Sequence, residues 1–238
     1  MVNMTQENGT EMLVLRGISS MATRPLLAAL AAAWEAESGT AVDMESVGGV
    51  DAARRVDGGE AFDVVVLASD AMARLLESGR LIEDSLRPVA VSDMAVALPA
   101  GADPSSVATQ AALVATLRAA PAIGHSTGPS GKALLMLLEG WGLREALRSR
   151  LVEAPPGTPV GGMVASGRVA VGFQQRSELV HSPGITVAPM PPGAQIATVF
   201  SAGICRGAGH APAARRFIDY LVSPAVDTIR RREGLSAP

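Results

Sequence analysis

The sequence predicts an α/β protein, because short apolar, β-branched segments alternate with segments whose apolar residues recur at helical spacing. The clearest strand is DVVVL at 63–67. The clearest helix carries Leu27, Leu30 and Trp34 on one face. Alternation of this kind predicts parallel sheets with helices on both faces, and ligands of such sheets bind beyond the carboxyl ends of the strands.

The other elements follow from the same signals in chain order. Further strands are predicted at 12–15, 41–45, 94–98, 122–124, 169–173, 185–188 and 197–204. Helices are predicted at 52–56, after Ser69, up to about Ala119, after Ser130 as the N-cap, and around Phe217. The Pro/Gly/Ser-rich stretch 99–106 predicts a loop.

Composition excludes several classes of function. The 238 residues carry a net charge of -3, with 48% hydrophobic and 3% aromatic residues. The chain is therefore long and apolar enough for one large domain or two lobes, and it lacks the basic face of a nucleic-acid binder. A single cysteine, Cys205, excludes an internal disulfide and a cysteine-rich metal site. We expect neither a metal nor a cofactor.

The first residues show no targeting signal. The stretch MVNMTQENGTEM is polar and lacks the basic region and the long apolar run of a secretory signal. The Ala-rich segment 26–33 is too short to span a bilayer. We therefore expect a cytoplasmic protein without membrane insertion, or a periplasmic one if an upstream signal was removed, and a disordered tail at 1–11.

The residues that follow the predicted strands point to a small anionic ligand. They are rich in glycine and hydroxyl groups, and helix N-termini add unpaired N–H donors and a positive dipole end. An arginine can add a bidentate pair of hydrogen bonds to a carboxylate. The candidate ligand contacts are Arg16, Ser19, Ser20, Gly49, Ser126, Thr127, Ser130, Gly131, Lys132, Gln174 and Gln175.

Two residues are candidates for carrying a proton, His125 and Glu45. An imidazole ionises near neutral pH, and a carboxylate can act as a base when burial raises its pKa. Each also has a structural interpretation: His125 as a hydrogen-bonded loop residue, and Glu45 as an ion-pair partner of Arg16. The serines of the predicted site have one as well, because serine commonly caps helices.

Nucleotide-binding motifs are missing. In STGPSGK, Gly128 stands too close to Gly131 for the phosphate loop G-x-x-x-x-G-K-[ST], and Ala133 follows Lys132. No GxGxxG follows the first strand. These absences exclude a P-loop nucleoside triphosphatase and leave no fingerprint for a dinucleotide.

Several motifs together resemble the molybdate-binding solute-receptor family, which has the type II periplasmic-binding-protein fold. They are, in order, GISS, WEAESGTAVDMES, AFDVVVLASDAM, SDMAVALPAG, GHSTGPSGKALL, SGRVAVGFQQ and RRFIDYLVSPAV. The resemblance covers nearly the whole chain. It implies two lobes, each a mainly parallel sheet flanked by helices, with the ligand in the cleft between them. Lobe one would comprise 12–91 and 201–238, and lobe two 92–200.

The resemblance also implies how the ligand is held and where this chain departs from the family. Ser20 matches a serine that binds the oxyanion. Glycine occupies 48–49, where the family usually has a second serine, and Gln174 or Gln175 replaces a tyrosine. Together with Arg16, these departures favour a carboxylate over molybdate.

The family includes members similar to aconitate isomerase, which move a proton along an allylic tricarboxylate. The expected function is therefore binding of a small oxyanion or polycarboxylate, with cofactor-independent isomerisation of an aconitate-like carboxylate. The alternative is a non-catalytic receptor for molybdate or another oxyanion. It would serve an ABC importer, with a permease as partner, or act as an intracellular sensor.

Overall fold

A computed structural model describes residues 13–155 and 157–238. The strands are β1 (Val14–Ser20), β2 (Ala41–Val47), β3 (Val64–Ala68), β4 (Arg87–Pro99), β5 (Ile123–His125), β6 (Leu151–Glu153), β7 (Val171–Gln175), β8 (Ile185–Pro189) and β9 (Ala197–Ile204). The helices are α1 (Arg24–Ser38), α2 (Gly49–Asp57), α3 (Ser69–Glu77), α4 (Gln110–Ala119), α5 (Pro129–Gly140), α6 (Arg144–Leu147), α7 (Val160–Ala165), α8 (Arg176–Leu179), α9 (Ala211–Val222) and α10 (Asp227–Arg232).

The strands pair in the order β2-β1-β3-β9-β4-β7-β5-β6, and β8 pairs with β4. Each end of this order has three neighbouring parallel strands, β2-β1-β3 and β7-β5-β6. The central strands β4 and β9 join them through antiparallel pairing. The carboxyl ends of each parallel set therefore lie on one edge, which is where a ligand binds in such sheets.

The hydrophobic cores divide along β4. Residues of this strand up to Ala90 pack in a core with β1, β3, α1 and α9, whereas residues from Met94 onward pack with β7, α4 and α5. A second core lies on the opposite face of each sheet, around Val65 in one case and Ala97 in the other. We call the part with β1–β3 the first lobe and the part with β5–β8 the second lobe.

Strand β3 shows why the segment DVVVL is so apolar. Val64 and Val66 belong to one core of the first lobe, and Val65 and Leu67 belong to the core on the opposite face. All four side chains are buried, so neither face of the strand admits a polar residue.

Some strands extend further toward the ligand edge than the sequence predicts. Strand β1 continues to Ser20 instead of ending at Leu15, and β7 continues to Gln175 instead of Phe173. Backbone pairing keeps these polar residues in the ladder, with the parallel strand β2 in the case of β1 and with the antiparallel strand β4 in the case of β7. The predicted start of the first strand and the predicted tail at 1–11 lie outside the described residues. No helix among the described residues is both long enough and apolar enough to cross a bilayer.

We expect Phe217→Ala to destabilise the first lobe by about 3–5 kcal/mol, because it removes a fully buried aromatic ring and leaves a cavity. The ring lies 6.0 Å from that of Trp34 between centroids. Urea unfolding measures the effect. Met136→Ala is the matched control, since this side chain is 73% exposed and its truncation should change stability by less than about 0.5 kcal/mol. Equal losses in the two variants would contradict the packing described.

Candidate functional site

A cavity of 680 Å³ lies between the two lobes at the carboxyl ends of the strands. This volume falls in the range of small-molecule sites, about 300–1,000 Å³. The predicted ligand contacts that line it are Ser20, Gly49, Ser126, Thr127, Ser130, Lys132, Gln174 and Gln175. The predicted candidates that do not line it are Arg16, Ser19, Gly131, His125 and Glu45.

Several helices begin at the cavity wall, among them α1, α2, α3 and α5. Each follows a strand of one of the two parallel sets, so the chain enters each helix at the carboxyl edge of its own set. Their first turns carry unpaired N–H groups and the positive end of the helix dipole. The helix N-termini by themselves therefore favour an anionic ligand, before any charged side chain is considered.

Two buried polar atoms of the wall have no hydrogen-bond partner among the described residues. They are the hydroxyl of Ser20 in the first lobe and Oε1 of Gln175 in the second lobe. Both residues are more than nine-tenths buried. A Cβ added to Gly49 would lie 3.5 Å from the Ser20 Cβ, so α2 begins directly beside that hydroxyl. Buried polar groups are nearly always paired, and a ligand in the cavity can supply the missing partner.

The loop between β5 and α5 is held by contacts between hydroxyl groups. Ser126 Oγ and Ser130 Oγ are 2.8 Å apart. The N-cap of α5 is Gly128, which makes no side-chain cap, and Ser130 lies inside the first turn instead of capping it as predicted. Gly131 packs against the Ser126 carbonyl so closely that any Cβ would overlap with it. Gly131 thus permits the close packing of this loop, although it does not itself line the cavity.

A carboxyl group that the sequence analysis missed also lines the cavity. Glu178 of α8 accepts a hydrogen bond of 2.8 Å from Gln174 Nε2, and Gln174 Oε1 accepts one of 2.9 Å from the Val160 amide. Burial raises the pKa of Glu178 to about 7, against a smaller lowering by the Gln174 hydrogen bond. The sequence carries little signal for this contact, because Gln174 ends the strand β7 and Glu178 lies in the short helix α8 that follows it.

Charged groups surround the rim of the cavity. Arg24 and Lys132 line it, are exposed, and form no salt bridge with any residue of 13–155 or 157–238. Arg74 pairs with Asp70 at 3.4 Å, and both side chains are about two-thirds exposed. His181 also lines the cavity, and its Nε2 lies 2.7 Å from Glu233 Oε2. Arg24 and Lys132 are therefore available to an anion that enters the cleft.

The two predicted residues of β1 that precede Ser20 do not line the cavity. Arg16 lies within the strand and not after it, so its exposed guanidinium lies over the Phe62 ring, 5.4 Å from the ring centroid. Ser19 is fully buried, and its hydroxyl lies 2.8 Å from that of Ser46. Alternation places Ser19 on the opposite face of the strand from Ser20. Arg16 shares the face of Ser20 but lies four residues before it, away from the carboxyl end of β1.

The two predicted proton carriers also lie off the wall. His125 is the last residue of β5 and is buried, and its Nδ1 is 3.1 Å from the Ser126 carbonyl oxygen. Glu45 is exposed and pairs with Arg55 at 2.6 Å instead of with Arg16. This hydrogen bond lowers the pKa of Glu45, whereas a base acting near neutral pH needs a raised one. Within the described residues, no cluster of three or more His, Cys, Asp or Glu side chains could hold a metal ion.

The chain belongs to the bacterial extracellular solute-binding proteins, because the model of that family matches residues 15–236. It is similar to the aconitate isomerase of a Pseudomonas species, with 32% identity over 202 residues that cover 82% of this chain and 76% of that relative. The resemblance found in the sequence motifs is thereby confirmed.

Solved structures share the two-lobed fold. The periplasmic molybdate-binding protein of Azotobacter vinelandii has a TM-score of 0.81 at 21% identity, with 94% of this chain and 99% of that chain covered. The sulfate-binding protein SubI of Mycobacterium tuberculosis has a TM-score of 0.77 at 16% identity, with 94% and 86% covered. At such identities the likeness establishes the fold, and the predicted α/β architecture is confirmed.

We expect Gly131→Ala to distort the loop 126–131, because the new methyl group overlaps with the Ser126 carbonyl oxygen. Overpacking of this kind costs about 1–3 kcal/mol. Thermal unfolding measures the loss. Gly140→Ala is the matched control at the other end of α5, where an added Cβ meets nothing within 4 Å. A Gly131→Ala protein as stable as the control would contradict this packing.

We expect Glu178→Gln to stabilise the protein above pH 7. The folded-state pKa of about 7 exceeds the ordinary value of 4.5, so wild-type stability falls as pH rises between these values. The variant does not have to ionise a buried carboxyl group. Its melting temperature should therefore exceed that of the wild type at pH 8, with the difference shrinking toward pH 4.5.

Glu145→Gln is the control for this pH dependence, because Glu145 is 88% exposed on α6. Its melting temperature should follow that of the wild type at both pH values. A Glu178→Gln protein that is less stable than the wild type at pH 8 would contradict a carboxyl group whose ionised form is disfavoured by burial.

Proposed function

We propose that this chain binds a polycarboxylate in the cavity between its lobes and isomerises an aconitate-like substrate by moving a proton between two carbons. The observation that carries the proposal is the set of unpartnered groups that the two lobes present to the cavity. Ser20 Oγ and Gln175 Oε1 lack partners, and Arg24 and Lys132 lack counter-charges among the described residues. A ligand with several carboxylates and a carboxyl or hydroxyl donor would satisfy these groups together.

The arrangement suits a ligand with separated charges. Arg24 begins α1 in the first lobe, and Lys132 lies in the first turn of α5 in the second lobe. Cations are disfavoured at helix N-termini, so an anion near both would relieve their repulsion from the dipoles. A substrate whose carboxylates reach both lobes would thereby bridge the cleft.

The same groups would stabilise negative charge that develops during the reaction. Removal of a proton next to a carboxylate creates a carbanion that delocalises onto the carboxylate oxygens. Fixed N–H groups and cations aimed at those oxygens lower the barrier, because they need no reorganisation when the charge appears. The likeness to an aconitate isomerase over 82% of the chain supports this chemistry and this class of substrate.

The second candidate function is non-catalytic binding of a tetrahedral oxyanion, as a receptor for an importer or as a sensor. The shared fold with molybdate-binding and sulfate-binding proteins favours it, as does the Ser20 hydroxyl on the wall. A receptor of this kind needs neutral donors and no proton carrier. The wall nevertheless contains two groups that can carry a proton, Glu178 and His181.

The isomerase proposal is tested by incubating the protein with trans-aconitate in D₂O and following the substrate by proton NMR. We expect conversion between the trans and cis isomers, together with loss of the signal from the exchangeable allylic protons. Both aconitates should also raise the melting temperature more than molybdate does, since bound ligand stabilises the folded state. Stabilisation by molybdate, with no effect of either aconitate, would contradict the proposal and favour the receptor.

Arg24→Gln and Lys132→Gln test the contacts. Each variant should weaken aconitate binding by roughly tenfold, which corresponds to about 1.4 kcal/mol. Arg54→Gln is the matched control, because Arg54 is 74% exposed on α2 and does not line the cavity. Aconitate binding that is equally strong in all three variants would place the ligand elsewhere.

A further inference from the structure

We propose that Glu178 is the catalytic residue that carries the proton, and that Gln174 is a positioning residue for its carboxyl group. This inference rests on the proposed isomerase function and assigns its central step. Glu178 lies on the cavity wall, on the short helix that directly follows β7.

The cavity offers two carboxyl groups among the described residues, Asp70 and Glu178. Asp70 is 66% exposed and pairs with Arg74, and a cation partner favours its charged form and weakens it as a base. Glu178 is partly buried and is held by a neutral amide of Gln174 at 2.8 Å. Of the two, Glu178 alone combines access to the ligand with an environment that strengthens its affinity for a proton.

The imidazole groups are less suited to the same task. His181 is 54% exposed, and its Nε2 is engaged with Glu233 at 2.7 Å. His125 lies behind the wall with Nδ1 directed at the Ser126 carbonyl. The earlier candidate Glu45 is exposed and paired with Arg55. Glu178 therefore takes the place of the candidates that the sequence suggested.

The surroundings of Glu178 are nearly free of fixed charge. Helix α8 packs against β4, β7, α7 and the turn 21–23. The segments β7, α7 and 21–23 contain no charged residue, and the charged residues of β4, Arg87 and Asp93, are exposed. On its own segment, Arg176 is exposed and His181 faces Glu233. Burial consequently dominates, and the pKa of about 7 lets the group both accept and return a proton near neutral pH.

Glu178 also lies on a helix that packs close to Ser20, the residue proposed to bind a carboxylate of the substrate. The turn 21–23, against which α8 packs, directly follows Ser20. A carboxylate held by the Ser20 hydroxyl and by the N-terminus of α2 would thus put its neighbouring carbon near α8. The Gln174 amide, fixed in turn by the Val160 N–H at 2.9 Å, restricts the rotation of the Glu178 carboxyl group.

The step balances without a cofactor. The ionised Glu178 takes a proton from the saturated carbon of the propene tricarboxylate, and the C–H electron pair becomes a new double bond to the central carbon. The former double bond supplies the pair that takes a proton back from the Glu178 carboxyl at the far carbon. Substrate and product are isomers, and the carboxylate is regenerated.

The test compares wild type with Glu178→Gln for deuterium incorporation into trans-aconitate, followed by NMR. We expect exchange to fall by at least about 100-fold, the usual contribution of a general base. Stabilisation of Glu178→Gln by aconitate in a melting experiment should persist, which shows that the protein is folded and binds. Glu145→Gln serves as the matched carboxyl-to-amide control, because Glu145 is exposed and does not line the cavity, and it should exchange like the wild type.

The outcomes separate the two proposals. Absence of exchange in the wild type contradicts the isomerase function itself. Exchange in the wild type that persists in Glu178→Gln overturns the assignment of Glu178, and its loss in His181→Gln instead assigns the proton to the imidazole.

Gln174→Met tests the positioning residue through a pH profile. In the wild type, kcat/KM should fall as the pH drops below about 7, because protonated Glu178 cannot accept a proton. The Gln174 hydrogen bond lowers the pKa of Glu178, so its removal should move this limb to higher pH. A reduced rate with an unshifted limb would indicate a purely structural effect and overturn the positioning role.

Discussion

The convergence of strand ends is the constraint on which the rest of this molecule depends. Parallel neighbours must all run the same way, so β1, β2 and β3 end at one edge and the helices that follow them begin there. The second lobe repeats the arrangement with β5 and β7. The cavity lies between these two edges, and the first turns of the helices that begin there direct N–H groups toward it.

Burial gives two kinds of polar group in this cavity their chemical character. The hydroxyl of Ser20 is buried and lacks a partner, whereas the carboxyl of Glu178 is partly buried and has a neutral partner. An unpartnered buried hydroxyl gains free energy when a ligand supplies a hydrogen bond. A buried carboxyl group without a cation holds its proton more tightly. Partial or full exclusion of water from the cavity wall thus supports both ligand binding and proton transfer.

Much of the site could be predicted from sequence because it lies at the strand ends. Ser20, Gly49, Ser126 and Gln174 follow or end predicted strands, and all of them line the cavity. Arg16 shows the limit of this reasoning, since an error in the end of β1 turned a strand residue into an apparent loop residue. Backbone pairing extends strands through polar residues, and hydropathy alone does not register that pairing.

The sequence by itself determined the α/β class, most strands of the sheets and the family, because apolar periodicity and motif order are local properties of the chain. Only the tertiary structure decided which ionisable groups face the ligand. His125 and Glu45 stand near strand ends in the sequence, yet one is turned behind the wall and the other is paired with Arg55. Glu178 reaches the cavity because α8 packs on the turn after Ser20, a contact between segments far apart in the chain. Side-chain environment arises from such contacts, so the proton affinity of a residue cannot be read from its neighbours in sequence.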